Sequence, residues 1–110
     1  MAQVLKRQQS MIVIKFDESA KPMSELGALV ITCGADALMR AEQLDPFHYF
    51  GRHMQGDWGD LCLEDCKLNE DALINGDRLM SVYNINAEQK IWIITEADRS
   101  VTTILLPEEY

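Results

Sequence analysis

Three runs of residues near the C-terminus decide the fold: Arg78-Leu-Met-Ser-Val-Tyr-Asn-Ile85, Lys90-Ile-Trp-Ile-Ile-Thr95 and Val101-Thr-Thr-Ile-Leu-Leu106. All three are rich in the β-branched and aromatic residues that favour strands. The polar segments between them, residues 86–89 and 96–100, are too short for a crossover, so the strands must be antiparallel neighbours. The pattern predicts a three-strand meander that Pro107 ends.

The middle run has apolar residues on both faces of its predicted strand, since Ile91, Trp92, Ile93 and Ile94 follow one another. A strand with one solvated face would instead alternate apolar and polar residues. We therefore expect this strand to be covered on both sides. Helices would cover one face of the sheet, and the N-terminal strands or a partner subunit would cover the other.

Three helices are predicted upstream of the meander. Apolar residues at helical spacing indicate a short helix over residues 35–43. Asp45 and Pro46 are a favoured N-cap and first helical residue, so a second helix should run from Pro46 to about Met54. Its core-facing residues would be Phe47, Phe50 and Met54.

The third predicted helix covers residues 61–75. Asp60 is its expected N-cap, Glu64 and Asp65 stand in the first turn, where the helix dipole favours anions, and Gly76 is its stop signal. We expect its buried stripe to consist of Leu61, Asp65 or Cys66, Leu68, Ala72 and Leu73.

The N-terminal part is less regular. Residues 1–10 are polar and basic, and we expect them to form a flexible segment. Met11 to Phe16 and Ala28 to Thr32 read as two short strands joined by a loop that contains Pro22. The prediction is therefore a single α+β domain over residues 11–110, with two to three short helices packed on an antiparallel sheet.

Composition limits the function classes. The chain has 110 residues and a formal net charge of −8, which repels phosphate backbones and disfavours direct nucleic-acid binding. No run approaches the ~20 apolar residues of a membrane span. Three sparse cysteines fit a reducing compartment, so we expect a cytoplasmic protein. Protein partners are expected, with a homodimer as an alternative, and the acidity serves either solubility or imitation of nucleic acid.

Three blocks carry a resemblance to a known group of proteins. They are Gly56-Asp-Trp-Gly-Asp-Leu61, then Glu64-Asp65 with Asn69, and Ile91-Trp-Ile-Ile-Thr-Glu-Ala-Asp-Arg-Ser100 continued by Thr102-Thr-Ile-Leu-Leu-Pro-Glu-Glu-Tyr110. Over residues 28–110 the chain resembles a family of small "plasmid-related" proteins carried by plasmids, integrative elements and phages. The resemblance implies a mobile-element habitat and no particular chemistry. Small acidic proteins of such elements often interfere with host defence by binding a protein.

Two loops hold the candidate binding residues. Trp58 lies in a glycine-flanked turn, where it is either a binding anchor or a plug in the core. Charged side chains accompany it in that turn and recur in the last predicted hairpin, where they form either a recognition loop or a self-satisfied turn. The candidate binding residues are Asp57, Trp58, Asp60, Glu96, Asp98 and Arg99.

Metal and cysteine chemistry are disfavoured. Asp57, Asp60, Glu64 and Asp65 cluster as hard cations require, but their spacing matches no calcium loop, and capping explains most of them. Cys62 and Cys66 lack a second ligand pair for zinc, so we interpret them, together with Cys33, as small buried apolar residues. No metal and no cofactor are expected.

An alternative site stands on the second helix. His48 and Arg52 are four residues apart on one face, and His53 adjoins them, a grouping that a ribonuclease uses for proton transfer and phosphate stabilisation. The competing interpretation is a solvated helix face opposite Phe47 and Phe50. The sequence favours a non-enzymatic binding protein that modulates a host defence or nucleic-acid-processing protein. The alternatives are a small toxin-like RNase and a homodimeric structural protein.

Overall fold

One five-stranded sheet and three helices are found in the part of the chain that the structure, a computed structural model, describes, namely residues 11–14 and 26–110. The expected flexible segment 1–10 and the loop through Pro22 lie outside the described residues. In chain order the elements are β1 Met11–Ile14, β2 Ala28–Thr32, α1 Cys33–Ala41, α2 Pro46–Met54, α3 Leu63–Asn75, β3 Leu79–Asn84, β4 Lys90–Thr95, β5 Val101–Leu105 and a 3-10 turn Pro107–Glu109.

The sheet has the order β1-β2-β5-β4-β3, so the predicted α+β class and the C-terminal meander are confirmed. The pairing of β2 with β5 is parallel, and the other three pairings are antiparallel. Parallel pairing is available there because the connection from β2 to β5 contains all three helices and two strands, far more chain than a crossover needs. The expectation that the N-terminal strands cover the second face is wrong, because they extend the sheet at its edge.

The core lies between the sheet and the helices α1 and α2. Side chains of alternate strand residues point to this side, as the pleat requires, and meet apolar residues of both helices. The prediction for β4 is confirmed on both faces: Ile91 and Ile93 are fully buried toward the helices, and Ile94 is 3% exposed on the other side. On that second side the half-buried Trp92 ring packs against Tyr110, with the ring centroids 5.6 Å apart.

Local capping explains where the first two helices begin. The Asp45 carboxylate accepts a hydrogen bond from the Phe47 amide, and α2 has its predicted bounds. Its core face holds Phe50 and Met54 as predicted, but Phe47 is 37% exposed, so that assignment is wrong. Helix α1 begins earlier than predicted because the Thr32 hydroxyl caps it by accepting from the Ala35 amide.

Helix α3 departs most from the prediction. It begins at Leu63, its N-cap residue is Cys62, and Asp60 does not cap it. Gly76, at φ 78°, ends it as predicted. Asn69 and Ala72 are buried, whereas Leu68 is 63% exposed, so the predicted buried stripe is wrong at Leu68. The reason is that α3 packs against the edge strand β3, whose unpaired backbone groups need hydrogen-bond partners. Asn69 therefore faces the strand, and Leu68 points to solvent.

Candidate interaction surface

The segment Gly56–Asp60 runs beside β3 and occupies part of its outer edge. The Val82 amide donates to the Trp58 carbonyl at 3.2 Å, and the Val82 carbonyl accepts from the Asp60 amide at 2.6 Å. The Asp60 carboxylate then accepts from the Asn84 amide at 2.8 Å. An edge strand exposes such groups unless something pairs with them, so this segment acts as a short substitute strand.

Asn69 of α3 completes the same edge. Its side-chain amide nitrogen donates to the Met80 carbonyl at 2.6 Å, and its carbonyl oxygen accepts from the Met80 amide at 3.1 Å. The side chain is buried, so both of its polar groups are satisfied by backbone of the strand. Helix α3 is therefore fixed to β3 through one residue that sequence reasoning did not select as a site residue. The available signal was a single amide within an otherwise apolar helical stripe.

Trp58 is part of the core. It is 5% exposed and packs with Ala72 of α3 and Leu79 of β3, and its indole N–H donates to the Glu70 carboxylate at 3.2 Å. Of the two interpretations of this residue, the structure supports the plug. The neighbouring Gly59 has φ 72° and lies so close to β3 that an added Cβ would overlap the Val82 carbonyl oxygen.

Asp57 is held by α2. Its carboxylate accepts from Arg52 Nε at 2.6 Å, and the Arg52 guanidinium lies 4.5 Å from the centroid of the Tyr83 ring. This contact lowers the pKa of Asp57 and raises that of Arg52. The Tyr83 hydroxyl donates to the Asp57 carbonyl at 2.6 Å, and burial raises the pKa of Tyr83 to about 12. The predicted candidates Arg52 and Asp57 thus interact with each other.

The second predicted loop, between β4 and β5, is tied to the end of α3 by Arg99. Its guanidinium donates to the carbonyls of Asp77 at 2.7 Å and Ala72 at 3.3 Å, and also to those of Glu96 and Ala97. Helix α3 has no basic residue in its last turn, so Arg99 supplies the cation that its carbonyl end favours. Asp98 accepts from the Ser100 amide, and hydrogen bonds from Ser100 lower its pKa.

The two predicted binding loops do not form one patch. Asp60 contacts Asn84 at one end of β3, and Arg99 contacts Asp77 just before the other end. Six strand residues separate these ends by roughly 20 Å. The outer face of α3 lies between them.

That outer face combines negative charge with exposed aliphatic side chains. Leu63 is 86% exposed, Leu68 63% and Ile74 84%. Residues 57–77 include seven carboxylates and a single lysine, Lys67. Single exposed aliphatic side chains are common, but three on one short helix add apolar surface that neither folding nor solubility requires.

His53 is fully buried, contrary to the interpretation that places it on a solvated face. Its Nδ1 lies 2.6 Å from the Ser81 hydroxyl and its Nε2 lies 2.9 Å from the Thr95 hydroxyl. Its spacing three residues after Phe50 was the signal that it faces the core. Burial lowers its pKa to about 3, and the charge of Arg99 adds to this effect.

The protons in this buried chain have one consistent arrangement. The Thr102 hydroxyl donates to the Leu26 carbonyl at 2.6 Å, so it must accept from Thr95 at 2.7 Å. Thr95 has then used its only hydrogen and accepts from His53 Nε2–H, which leaves Nδ1 to accept from Ser81. Because burial keeps the pKa of His53 low, the imidazole is neutral, both of its nitrogens have partners, and its role is structural.

The three residues of the alternative catalytic site do not converge: His53 faces the core, whereas His48 and Arg52 both lie near Asp57 at the surface. His48 is exposed with its ring against Tyr49 at 5.1 Å, Arg52 is held by Asp57, and His53 is inside the core. A cleft of about 350 Å³ lies between α1 and α2, over Ile31 and Met39. Neither histidine lines it.

The structure also locates the remaining candidates for metal binding and thiol chemistry. Within the described residues, no three histidine, cysteine or carboxylate side chains are grouped as a metal site. All three cysteines are free thiols: Cys33 and Cys62 are exposed and Cys66 is half-buried, so the prediction of buried cysteines is wrong for the first two. Both occupy helix starts, where the chain is at the surface. Burial raises the pKa of Cys66.

Comparison of the chain with family models, with curated proteins and with solved structures finds no match. Among the described residues, no helix has the length and apolar character to cross a membrane.

The close approach of Gly59 to β3 predicts a large effect of one methyl group. Gly59→Ala forces a left-handed residue to carry a Cβ against Val82, and we expect it to lower the free energy of unfolding by about 2 kcal/mol or more. The control is Gly51→Ala within α2, where a Cβ meets nothing and should stabilise by about 0.5–1 kcal/mol. Urea unfolding measures both. Equal effects of the two substitutions would contradict the proposed packing of this segment.

The buried His53 predicts a pH dependence of stability. Its pKa is lower in the folded than in the unfolded state, so its contribution is complete above about pH 6.5 and is lost as the pH falls toward 3. We expect the free energy of unfolding to fall over this range with an added slope of up to about 1.4 kcal/mol per pH unit, which His53→Gln removes. His48→Gln, at an exposed imidazole, is the control. A wild-type slope retained in His53→Gln would mean that His53 is not neutral and buried.

Proposed function

We propose that this protein acts by binding another protein and not by catalysis. It would serve a mobile element in the cytoplasm as an inhibitor or modulator of a host defence or nucleic-acid-processing protein. The observation that carries the binding role is the outer face of α3, where Leu63, Leu68 and Ile74 are largely exposed among carboxylates. The mobile-element setting rests on the resemblance of residues 28–110 to the plasmid-related family.

The placement of the chemically versatile side chains supports the same proposal. His53 is buried with both ring nitrogens hydrogen-bonded, and the Arg99 guanidinium donates to four backbone carbonyls. Arg52 is paired and stacked. A general acid and base must both reach a substrate, and these groups face the core or their neighbours. The architecture thus explains three polar residues of the resembling motifs, namely Asp60, Asn69 and Arg99.

The rival function is a small RNase, for which His48 is the accessible imidazole. It would need His48 and Arg52 to act at the surface without His53, beside the carboxylate of Asp57, which repels a phosphate. A homodimeric structural protein is the other alternative. The RNase would be detected as RNA cleavage, and the homodimer as a doubled mass in solution.

A binding experiment in host lysate separates these functions. We expect the immobilised protein to retain a stoichiometric protein partner at low salt, and the purified pair to show the summed mass of a heteromeric complex by light scattering. In parallel, the protein is incubated with mixed RNA and divalent metal ions, with His48→Ala as the control variant. Cleavage that His48→Ala abolishes, or a homodimer without any partner, would contradict the proposed function.

A further inference from the structure

We propose that the outer face of α3 is the docking surface and that its partner is a basic protein surface with apolar pockets. This inference rests on the proposed function and adds the location of the surface and the chemistry of its occupant. The docking face is defined by Leu63, Glu64, Leu68, Asp71 and Ile74.

The aliphatic side chains provide the apolar part of the contact. At 3.6 residues per turn, Leu63 and Ile74 project within about 20° of each other, and Leu68 projects about 140° around the helix. Between these directions fall Glu64, Asp71 and the single lysine of the helix, Lys67. The docking face thus has two aliphatic margins with two carboxylates and one lysine between them. Burial of the exposed aliphatic side chains by a partner is favourable because it removes apolar area from water.

The charge of the docking face selects a cationic partner. Within residues 26–110 the ion pairs are Arg40 with Asp36 and Arg52 with Asp57, so no cation of this part of the chain bridges to Glu64 or Asp71. Asp65 adds a further carboxylate on the same helix, and Lys67 is the only basic residue within α3. The Arg99 guanidinium lies at the C-terminal end of the helix, where it donates to backbone carbonyls. A basic surface is steered toward such a field and pairs with it.

The same charges exclude the other occupants of an exposed apolar face. Two copies of α3 would bring their carboxylates together, which disfavours self-association through this surface. Nucleic acid and anionic lipid headgroups are repelled for the same reason. A basic protein remains as the occupant that satisfies both the carboxylates and the aliphatic side chains.

The docking face is held rigid before any partner arrives. Asn69 fixes the buried side of α3 to β3, and Arg99 fixes its C-terminal end. Trp58 packs beneath it against Ala72. A preorganised helix loses little conformational entropy on binding, so its exposed side chains contribute more fully to affinity.

The test places a photo-crosslinking amino acid at Ile74 in the full chain and, as a control, at Glu88 in the exposed β3–β4 turn, and exposes each protein to host lysate at low salt. We expect Ile74 to yield a crosslinked protein with a pI above about 9, and Glu88 to yield none. Crosslinking at Ile74 to a second copy of this chain or to an acidic protein would overturn the inference.

A matched pair of charge variants tests the electrostatic part on the same captured protein. Glu64→Gln with Asp71→Asn changes the docking face, whereas Glu42→Gln with Glu88→Gln makes the same change in net charge elsewhere. We expect only the first to weaken association, by about tenfold or more, with wild-type unfolding by urea. Equal weakening by both variants, or by neither, overturns the inference.

The outcomes separate this inference from the function on which it rests. A partner that binds the wild type and crosslinks at Glu88 but not at Ile74 leaves protein binding in place and removes α3 as its surface. If neither position captures any protein and no complex forms, both proposals fail.

Discussion

The rest of the structure depends on the pairing of the outer edge of β3. An edge strand offers a row of unpaired amides and carbonyls, which invites association with other chains. Here the Asn69 side chain hydrogen-bonds the amide and the carbonyl of Met80, and the backbone of the Gly56–Asp60 segment does the same for Val82. The Asp60 carboxylate accepts from the Asn84 amide. This pairing positions α3, because its buried side must face the strand and its charged side must then face solvent.

Much of the architecture could be predicted because it is local. The bounds of α2 follow from Asp45 and Pro46, whose capping role needs no tertiary contact, and the meander follows from strand length and short turns. The errors arise where distant residues compete for the same group. Asp60 is a good helix cap by propensity, yet its carboxylate bonds the Asn84 amide, and α3 begins after Cys62 instead.

The site was harder to predict because burial and residue chemistry point in opposite directions. From the sequence, motif residues such as Trp58 and Arg99 are plausible binding residues. In the structure Trp58 is buried and Arg99 donates to backbone carbonyls of the same chain. The polarity of His53 suggests an exposed side chain, although a core can hold an imidazole whose two nitrogens are both satisfied. Conversely, the residue type and helical spacing of Leu68 predict burial, but the side chain is exposed. No local pattern shows that α3 packs on an edge, so its exposed side was not visible in the sequence.

Native-state hydrogen exchange at β3 measures directly whether its outer edge is paired, since an open edge would leave the amides of Met80, Val82 and Asn84 to solvent. Pairing of this edge predicts that these three amides are protected together, at a level approaching that of Ile93 in the centre of the meander, because each donates within the protein. Exchange as fast as at the exposed Glu88 turn would contradict it. The edge would then be open, and α3 would have no fixed orientation from which to present its outer face.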